Sequence, residues 1–313
     1  MQTLQQFGEK KLHRFLGQFK GVGDDAAVIP FQNSQLVFTT DALEEELHFS
    51  FRWMAVTQLA SKLLAVNLSD LAAMGAQPRW ALLSLALPKK TPILKLKTFF
   101  KALQKYCQQF GVQLIGGDTD ASDKWRLSLT LIGEVKNAIY RSGAKVGEDL
   151  WVTGNPGHSA LGLYALQQNL DQKKFRPYIQ KHLCPLPRLQ EGHLLSTKKI
   201  ATAMIDVSDG LLLDLERLCE ASKVGAEIKL PQNPSWPSET KDKEQEFVAC
   251  GGEDYELLFS SSEKNRKAIM GLFQKLKTPL HFLGKIKVQR YGISALDLEG
   301  KEIKFSIKGY QHF

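Results

Sequence analysis

Aspartates beside glycine, threonine or serine recur along this chain, in each case where an apolar segment ends. One such place is an ordinary turn or helix cap, because Asp accepts backbone hydrogen bonds there. Five of them, drawn from both halves of the chain, predict a fold in which many loops converge on one acidic site. The five stretches are Gly23-Asp24-Asp25, Thr39-Thr40-Asp41, Ser69-Asp70, Gly116-Gly117-Asp118-Thr119 and Asp206-Val207-Ser208-Asp209-Gly210.

The predicted convergence has an electrostatic consequence, because these stretches together contain seven aspartates. Two like charges about 4 Å apart repel by roughly 4 kcal/mol at an effective dielectric constant near 20. Hard cations such as Mg²⁺ relieve that repulsion, and Mg²⁺ usually binds together with substrate phosphates. The acidic stretches therefore predict phosphate chemistry on a nucleotide.

The rest of the sequence is typical of a folded globular protein with two domains, since it has 313 residues, 43% of them hydrophobic. The longest apolar stretch, residues 80–87, is too short to span a bilayer. The first residues lack the charged start and apolar core of an export signal, so we expect a cytoplasmic protein that binds no membrane. The cysteines are widely spaced, which argues against a zinc site and a disulfide framework.

The net charge of +8 raises the question of nucleic-acid binding. However, the Lys and Arg residues are scattered, and they form no basic stripe with interleaved aromatic residues. We therefore expect no nucleic-acid partner. A basic surface around an acidic, metal-loaded cleft also suits anionic small substrates.

Hydrophobic periodicity predicts two units, each of which mixes helices and strands. A second unit starts near Gly147 with a strand, and its polar stretch over residues 231–246 predicts a long surface loop. The predicted fold class is α+β, with domains over residues 1–146 and 147–313. The predicted helices of the first half span residues 4–19, 53–74 and 93–110.

The stretch from Gly21 to Ala26 superficially resembles a dinucleotide-binding glycine loop. Such a loop presents bare amides to a pyrophosphate, and the adjacent Asp24 and Asp25 would repel that anion unless metal ions intervened. The chain also contains no Walker-type Gly-x-x-x-x-Gly-Lys-Ser/Thr motif. A tight turn with paired metal ligands is the favoured interpretation.

Three other aspartates lie in contrasting contexts. Asp70 falls within a predicted helix whose neighbouring residues are Leu, Ala and Met, which leaves little polar surface around it, so we interpret it as a functional acid. Asp206 and Asp209 flank a strand-to-helix junction. There, Asp209 or Ser208 alone could be only the N-cap of the helix, but the pair beside Gly210 favours a ligand site.

Four further features also have ordinary alternatives. The paired glycines Gly116-Gly117 permit close backbone approach to a ligand. Arg141 offers a cation for phosphate, although a lone arginine is not a specific signal in a basic chain. The acids of Gly251-Gly252-Glu253-Asp254-Tyr255-Glu256 would by default lie in a loop or at a sheet edge, and His48 follows three glutamates as a surface histidine often does.

With these stretches in order, the chain resembles the thiamine-monophosphate kinase family, of the superfamily that includes aminoimidazole ribonucleotide synthetase. The resemblance spans almost the whole chain, and it implies two mixed α/β domains of the aminoimidazole ribonucleotide synthetase-like type with an acidic metal and ATP cleft between them. It also implies a homodimer paired through the N-terminal domains. The matching stretches are GVGDDAAVI, TTDAL, AVNLSDLAAMGA, LIGGDT, RSGAKVGEDLWVTG, IDVSDGL, GGEDYEL and GYQHF.

The resemblance also implies roles for individual residues. The positions that hold several Mg²⁺ ions around the ATP phosphates are Asp24, Thr39, Thr40, Asp41, Asp70, Asp118, Asp206 and Asp209. The positions that contact ATP are Gly117, Asp118, Arg141 and Ser208, and those that contact thiamine phosphate are His48, Glu253 and Tyr310. The residues expected to carry the catalysis are Asp118, Asp206, Asp209 and Arg141.

Three residues depart from the family pattern. Glu46 stands where a glycine is usual, which bears on the shape of its loop. His158 stands where the family has Asp, and Asp120 where a second threonine is common. None of the three removes an expected metal ligand, and the roles of Asp25 and Asp120 stay open.

The implied activity is ATP-dependent phosphorylation of thiamine monophosphate to thiamine diphosphate. The acceptor phosphate has a second pKa of about 6 and is mostly dianionic at neutral pH, so no general base is needed. Clustered Mg²⁺ would position the two phosphates in line and neutralise developing charge. Two alternatives remain: a sister enzyme that uses ATP on another small substrate, and a non-catalytic protein that binds nucleotides or nucleic acid.

Overall fold

The computed structural model describes Leu16 and residues 23–233, 235–297, 300–305 and 309–310. The helix predicted over residues 4–19 lies outside the described residues except for Leu16, as do the last three residues of GYQHF. Within the described part of the chain, no helix is long and apolar enough to cross a membrane. The four cysteines are free thiols.

The first unit is a five-stranded sheet with two long helices, α1 (Val56–Ala73) and α2 (Ile93–Phe110). Neighbouring strands are antiparallel except for β3 and β4, whose parallel pairing requires the crossover that α2 provides. The strands, in the spatial order β1-β2-β5-β3-β4, are β1 (Ala27–Phe31), β2 (Ser34–Glu44), β3 (Gln77–Leu87), β4 (Gln113–Ala121) and β5 (Arg126–Val135).

The second unit is a six-stranded mixed sheet with the order β11-β8-β10-β6-β9-β7. Its strands are β6 (Asp149–Thr153), β7 (Ala203–Val207), β8 (Val224–Lys229), β9 (Glu256–Ser261), β10 (Leu280–Val288) and β11 (Ile293–Leu296). Its helices are α3 (His158–Gln167), α4 (Arg176–Leu183), α5 (Leu189–Thr197), α6 (Leu211–Ser222), α7 (Glu244–Cys250) and α8 (Arg266–Leu276). Short 3₁₀ turns span Ser238–Lys243, Glu263–Asn265 and Gln289–Tyr291. The domain boundary at residues 146/147 stays a prediction.

Alternation along the strands separates a buried face of the first sheet from an outer face. On β2, Val37, Thr39 and Leu43 are buried, whereas Thr40 and Ala42 are exposed. Because successive side chains of a strand point to opposite faces, residues 39 and 41 face the helices, and residue 40 faces outward. The neighbouring β5 alternates in the same way.

Helix α1 begins and ends at recognisable signals. At its start the Ala55 N–H donates to the Gln58 side chain at 2.8 Å, which satisfies one of the free amides of the first turn. At its end Gly75 adopts a left-handed φ of 72°, as is common after a helix. Most residues between are buried, including Lys62, which is unusual for a lysine.

The end of α1 also packs against the second unit. Ala72 and Ala73 share one hydrophobic core with Leu195 of α5 and Met204 of β7. Gly192 of α5 approaches so closely that a Cβ atom there would lie 2.0 Å from the Ala72 carbonyl oxygen. The two sheets therefore meet at the end of a single helix.

Two local predictions differ from the structure. Residues 231–246, predicted to form a surface loop, contain a 3₁₀ turn and the start of α7, because buried Trp236 packs with Val248 and anchors the segment. Residues 116–118 lie inside β4 and do not follow its end.

Candidate active site

Three aspartates from distant parts of the chain meet in one place, which we call the acid cluster. A carboxylate oxygen from each of Asp25, Asp70 and Asp206 lies within 4.8 Å of the others. Asp25 precedes β1, Asp70 lies in the last turn of α1, and Asp206 lies near the end of β7. The acid cluster thus draws its members from both units.

The surroundings of Asp70 disfavour a negative charge on its carboxyl. Burial raises the pKa of Asp70 well above its ordinary value, and the charges of Asp41 and Asp206 raise it further. The Thr39 hydroxyl donates a hydrogen bond to Asp70 Oδ2, which offsets part of that effect. Thr39, one of the predicted metal-site residues, therefore lies directly beside the acid cluster.

Asp206 is held by the residue that precedes Asp70. Its side chain is buried, and the Ser69 hydroxyl donates to Asp206 Oδ2 at 2.6 Å. Burial raises the pKa of Asp206 well above its ordinary value, and the charge of Asp25 adds to the effect. The last turn of α1 thus contributes Asp70 to the acid cluster and, through Ser69, fixes the position of Asp206.

Asp41, on β2, lies beside the acid cluster. Its backbone N–H donates to Asn67 Oδ1 on α1 at 3.1 Å. Burial raises the pKa of the Asp41 carboxyl to about 6, although a hydrogen bond with Asp70 lowers it in part. The two carboxyls therefore titrate as an interacting pair.

Arg141 organises the turn before β1. Its backbone N–H donates to Asp24 Oδ1 at 2.6 Å, and its guanidinium donates to Asp25 Oδ1 at 2.8 Å. The resemblance implies Asp24 as the metal ligand, but the structure brings its neighbour Asp25 into the acid cluster. Asp25 Oδ2 and Arg141 Nε are buried and have no hydrogen-bond partner among the described residues.

The loop Ser208-Asp209-Gly210 is held by an acid that the sequence analysis does not single out. Asp214 Oδ2, in the first turn of α6, accepts the backbone N–H groups of all three loop residues at distances of 3.0 to 3.2 Å. Arg217 donates to Asp214 at 2.7 Å and to Asp209 at 2.6 Å. Burial raises the pKa of Asp214 to about 7 despite the nearby arginine. Asp209 is therefore already paired with a cation of its own chain.

Two predicted residues lie on the outer face of the first sheet. The Thr130 hydroxyl donates to the Thr40 hydroxyl at 3.1 Å. Asp118, on the edge strand β4, is the backbone pairing partner of exposed Ser84 on β3. Strands β5 and β3 separate β4 from β2, so Asp118 lies about 14 Å from β2 at roughly 4.8 Å per strand. Asp118 of one chain thus stands apart from that chain's own acid cluster, and its metal role stays a prediction.

Gly117 is required by the packing of β4 against β3. A Cβ atom at this position would lie 1.8 Å from the Leu83 carbonyl oxygen. The close approach that two glycines permit is therefore made to a neighbouring strand. A contact between the Gly117 backbone and ATP stays a prediction.

Glu253 lies in a turn packed against the loop after β7. Its φ of 64° is left-handed, and its N–H donates to the Ser208 carbonyl at 2.6 Å. Its carboxylate lies 2.7 Å from Lys62 Nζ and 3.1 Å from His182 Nδ1. Burial alone would raise the pKa of Glu253, but the Lys62 charge and the hydrogen bonds hold it at about 2.

His48 and Tyr310 approach this region from other segments. The His48 carbonyl accepts a long hydrogen bond from Lys62 Nζ at 3.4 Å, and its Nδ1 accepts the Glu44 N–H at 3.0 Å. The Tyr310 N–H donates to the Asp209 carbonyl at 2.9 Å, with the residue 46% exposed. All three residues predicted to contact thiamine phosphate therefore lie against residues of the candidate site.

Tyr255 follows Glu253 by two residues, and the charges of several acids act on it. It is buried, and its N–H donates to the Val207 carbonyl at 2.8 Å. Burial raises the pKa of its hydroxyl well above the ordinary value, and the charges of Glu253 and Asp41 raise it further. The charge of Glu253 and the charges of acids in and beside the acid cluster therefore both act on Tyr255.

The departures from the family pattern have separate outcomes. Glu46 takes up the left-handed backbone that its position requires, with a φ of 66°, and the Ser50 hydroxyl donates to its side chain at 2.9 Å. His158 packs against the rings of Tyr178 and Trp236, and burial lowers its pKa to about 4. It is therefore a neutral packing residue.

The donor set of the acid cluster fits a hard divalent cation. Mg²⁺ prefers oxygen ligands, and Asp25, Asp70 and Asp206 offer three carboxylates whose mutual repulsion such an ion would relieve. The buried Asp25 Oδ2 atom is an acceptor without a donor among the described residues. On these grounds the residues present fit Mg²⁺.

Several residues that shape the site escaped the sequence analysis. Asp214 had a usable signal, since an acid in the first helical turn after a glycine can accept free amides. Lys62 had another, because a lysine within an otherwise apolar helix is either exposed or paired. Asn67, Arg217 and His182 had no comparable signal.

Comparison with family descriptions covers most of the chain. Residues 23–135 match "AIR synthase related protein, N-terminal domain", and residues 145–295 match "AIR synthase related protein, C-terminal domain". The predicted architecture of two mixed α/β units of this type is thereby confirmed.

Comparison with curated proteins finds relatives along almost the full length. The thiamine-monophosphate kinase of Buchnera aphidicola subsp. Schizaphis graminum is 40% identical over 306 residues, which cover 95% of this chain and 93% of the relative. The thiamine-monophosphate kinase of Escherichia coli K12 is 38% identical over 305 residues, covering 94% and 91%. These matches confirm the resemblance found in the sequence.

Comparison with solved structures agrees. AaThiL complexed with AMPPCP and TMP is similar with a TM-score of 0.89 and 29% identity, covering 100% of this chain and 99% of that chain. Thiamine-monophosphate kinase from Stenotrophomonas maltophilia K279a is similar with a TM-score of 0.78 and 33% identity, covering 93% and 96%.

Proposed function

The chain belongs to the AIR synthase related protein family and, within it, to the thiamine-monophosphate kinases, and from that premise we propose that it transfers the γ-phosphoryl group of ATP to thiamine monophosphate. The products are thiamine diphosphate and ADP. The observation that most supports this proposal is the acid cluster of Asp25, Asp70 and Asp206, a donor set suited to metal-bound phosphates. A related protein, AaThiL, forms a complex with AMPPCP and TMP.

The acid cluster is the proposed Mg²⁺ site. Asp25, Asp70 and Asp206 would hold the ion, with Thr39 and Asp41 beside them. When bound, Mg²⁺ supplies positive charge that brings two anionic phosphates together and offsets charge in the transition state. Further ions would draw on Asp24, Thr40 and Asp209, as the resemblance implies.

Arg141 and the loop after β7 are the proposed contacts for ATP. The guanidinium of Arg141 is fixed by Asp25, and its side chain is 21% exposed, so it can donate to a phosphate oxygen. Ser208 lies in a loop whose amides are tied to Asp214, which fixes the backbone before a ligand binds.

The acceptor needs no general base in this proposal. Its phosphate has a second pKa of about 6, so at pH 7 the attacking oxygen is mostly deprotonated. The residues around it therefore have to bind, orient and screen charge. His48, Glu253 and Tyr310 are the proposed contacts on this side.

A direct assay tests the proposed function. ADP release should require both ATP and thiamine monophosphate, and free thiamine should not replace the phosphate ester. Substrates of the aminoimidazole ribonucleotide synthetase reaction serve as the control for a sister activity. ADP release with those substrates, and none with thiamine monophosphate, would overturn the proposal.

We also propose a homodimer paired through the outer face of the first sheet. This face exposes large apolar side chains, with Trp80 at 37% and Leu82 at 40% exposure. A charged substitution there, Leu82→Glu, should give a monomer in sedimentation or light-scattering measurements. An unchanged mass would count against this face.

Such pairing would give Asp118 a place in the reaction. Since Asp118 stands about 14 Å from its own β2 across intervening strands, we propose that it serves the site of the second copy. Asp118→Asn and Asp70→Asn should each be inactive alone, whereas a mixture of the two should recover activity as heterodimers form. A mixture as inactive as its components would refute this arrangement.

A further inference from the structure

Lys62 is a buried ammonium between the proposed acceptor contacts. Its side chain has no exposed area, and its Nζ lies 2.7 Å from Glu253 Oε1. The same Nζ donates to the His48 carbonyl at 3.4 Å. One cation on α1 therefore joins two segments that come from different units of the fold.

The second oxygen of Glu253 is held by His182 on α4. His182 Nδ1 lies 3.1 Å from Glu253 Oε2 and 3.2 Å from the Ser159 hydroxyl. Burial lowers the pKa of His182, and the Lys62 charge lowers it further, so the ring is neutral at pH 7. Because an ionised carboxylate can only accept, the hydrogen on Nδ1 must face Glu253, which selects one ring tautomer.

We propose that Lys62 and His182 are positioning residues for acceptor recognition, which hold the Glu253 carboxylate oriented and charge-balanced so that it accepts a hydrogen bond from the amino group of thiamine phosphate. This inference rests on the proposed kinase function and deepens its acceptor site. Each carboxylate oxygen has two acceptor directions. Lys62 and His182 occupy one on each oxygen, and 27% exposure of the Glu253 side chain leaves the others open to a ligand.

Lys62 also gives the Glu253 carboxylate a compensating positive charge, which distinguishes it from the acids of the acid cluster. Tyr255 is influenced by the charges of Glu253, Asp41 and Asp206 alike, so these acids lie around one residue. An uncompensated carboxylate at that place would be one more ligand for Mg²⁺. Lys62 cancels its charge, and Glu253 stays available to the acceptor.

The titratable groups that face this arrangement come from several segments. Lys62 comes from α1, His182 from α4, and Tyr255 from the turn that carries Glu253. Cys184, just after α4, is influenced by the Lys62 charge. Asp254 faces away and accepts the backbone N–H groups of residues 157 and 159. Removal of Lys62 therefore takes away the cation in direct contact with Glu253.

Steady-state kinetics with Mg²⁺, ATP and thiamine monophosphate test the proposal. Lys62→Met should raise the KM for thiamine monophosphate about tenfold or more, because Glu253 then no longer makes its charge-assisted contact with the substrate. The KM for ATP should change less than about threefold. Lys62→Arg should recover part of the loss. His182→Leu should raise the same KM, and His182→Asn, whose amide can replace the Nδ1–H donor, should restore it.

A matched control separates recognition from simple destabilisation. Lys181→Met removes another lysine that is paired with a buried glutamate of the same unit, Glu256. It should lower the melting temperature but leave the KM for thiamine monophosphate unchanged. If Lys62→Met does not fold, the two His182 variants decide the question.

The pH dependence gives a second readout. Without Lys62, burial should raise the pKa of Glu253, so the ratio of variant to wild-type kcat/KM for thiamine monophosphate should fall as pH drops from 8 to 6. The ratio removes the titration of the substrate phosphate, which is common to both enzymes. A flat ratio together with an unchanged KM would overturn the proposal.

Failure of the proposed function would be visible separately. If the wild-type enzyme does not phosphorylate thiamine monophosphate, the function itself is wrong. The positioning role is then judged by carboxyl-carbon NMR of Glu253, which should stay ionised through mild acid in the wild type and become protonated there in Lys62→Met. Identical titrations in both proteins would refute it.

Discussion

Two groups of buried or half-buried acids in this molecule differ in the charged residues around them. In the acid cluster, burial raises the pKa of Asp70 and of Asp206 well above the ordinary value, and neighbouring acids raise it further. Glu253 and Glu256 form the other group, the paired acids. Burial acts on them in the same direction, but cations outweigh it and hold the pKa of each at about 2.

The contacts of Glu256 show how complete this compensation is. Its carboxylate accepts hydrogen bonds from Lys181, Arg188 and the Thr153 hydroxyl, and its side chain is only 1% exposed. Burial alone therefore does not distinguish a ligand site from a structural one. Within the described part of the chain, Asp70 and Asp206 accept hydrogen bonds from hydroxyl groups and form no ion pair, which makes them candidates for an external cation. The cations beside Glu253 and Glu256 instead serve orientation or packing.

The largest expected effect concerns the paired acids. Glu256→Gln should reduce the free energy of unfolding by about 3–5 kcal/mol, because it leaves Lys181 and Arg188 without their counter-charge. Urea unfolding without Mg²⁺ or nucleotide measures it. Glu239→Gln, in an exposed pair with Lys174, is the control and should leave the stability almost unchanged, because solvent screens that pair. A similar small change for Glu256→Gln would erase the proposed contrast.

The same chemical change in the acid cluster should have the opposite sign. Asp70→Asn removes a charge that its neighbours repel and keeps an oxygen to accept the Thr39 hydrogen bond. We expect the metal-free protein to gain about 1 kcal/mol in stability, while turnover falls at least about 100-fold because a metal ligand is lost. Destabilisation as large as that of Glu256→Gln would show that Asp70 is compensated after all.

The increase in melting temperature on metal binding should also differ between variants of the acid cluster and variants of the paired acids. Mg²⁺ with a non-hydrolysable ATP analogue at about 100 times the Kd should raise the wild-type melting temperature by roughly 5 °C. Glu256→Gln should melt lower but keep this increase, whereas Asp70→Asn should lose most of it. Chelation with EDTA is the control, and an increase that survives in Asp70→Asn would place the ion elsewhere.

The smallest effect is on the pH dependence of metal-free stability. Burial raises the pKa of Asp41 to about 6 from its ordinary value of 3.8, so the folded state binds protons more tightly, and stability should fall by about 1 kcal/mol between pH 5 and 8. The paired acids contribute little slope there, since their folded and unfolded pKa values both lie below pH 5.

A difference measurement isolates this slope. Burial lowers the pKa of His158 to about 4, so this group contributes stability that is lost as pH falls below 6.5 and masks part of the effect. The wild-type curve minus the Asp41→Asn curve removes that contribution. A difference that does not vary with pH would contradict the raised pKa of Asp41.

Much of the architecture could be predicted from the sequence because it rests on local patterns. The helix over residues 93–110 has its predicted bounds, and the strands of both sheets follow apolar runs. The acidic character of the site was also readable, since glycine and hydroxyl residues beside aspartates mark loops that can converge. Each of these features is determined by the residues of a single segment, so it can be read from the sequence without the tertiary fold.

The partners of individual acids could not be predicted in this way. Which of two adjacent aspartates enters the acid cluster depends on the direction in which the turn before β1 points, and the Arg141 contacts decide it for Asp25. The distance of Asp118 from β2 depends on strand order, which no local pattern states. Lys62 and Glu253 are far apart in the sequence, so only the tertiary fold shows their contact.

Helix α1 carries Lys62 near its middle and Asp70 in its last turn, about 12 Å further along the axis at 1.5 Å per residue. Its end is pinned by Gly192, which leaves no room for a side chain over Ala72. A ligand that orders this helix at one end reduces the conformational entropy that is lost when a second ligand binds at the other end. Thermodynamic linkage makes such help mutual, so each substrate would tighten the other's binding by the same factor. When the concentration of one substrate is low, the protein would then bind the other substrate more weakly.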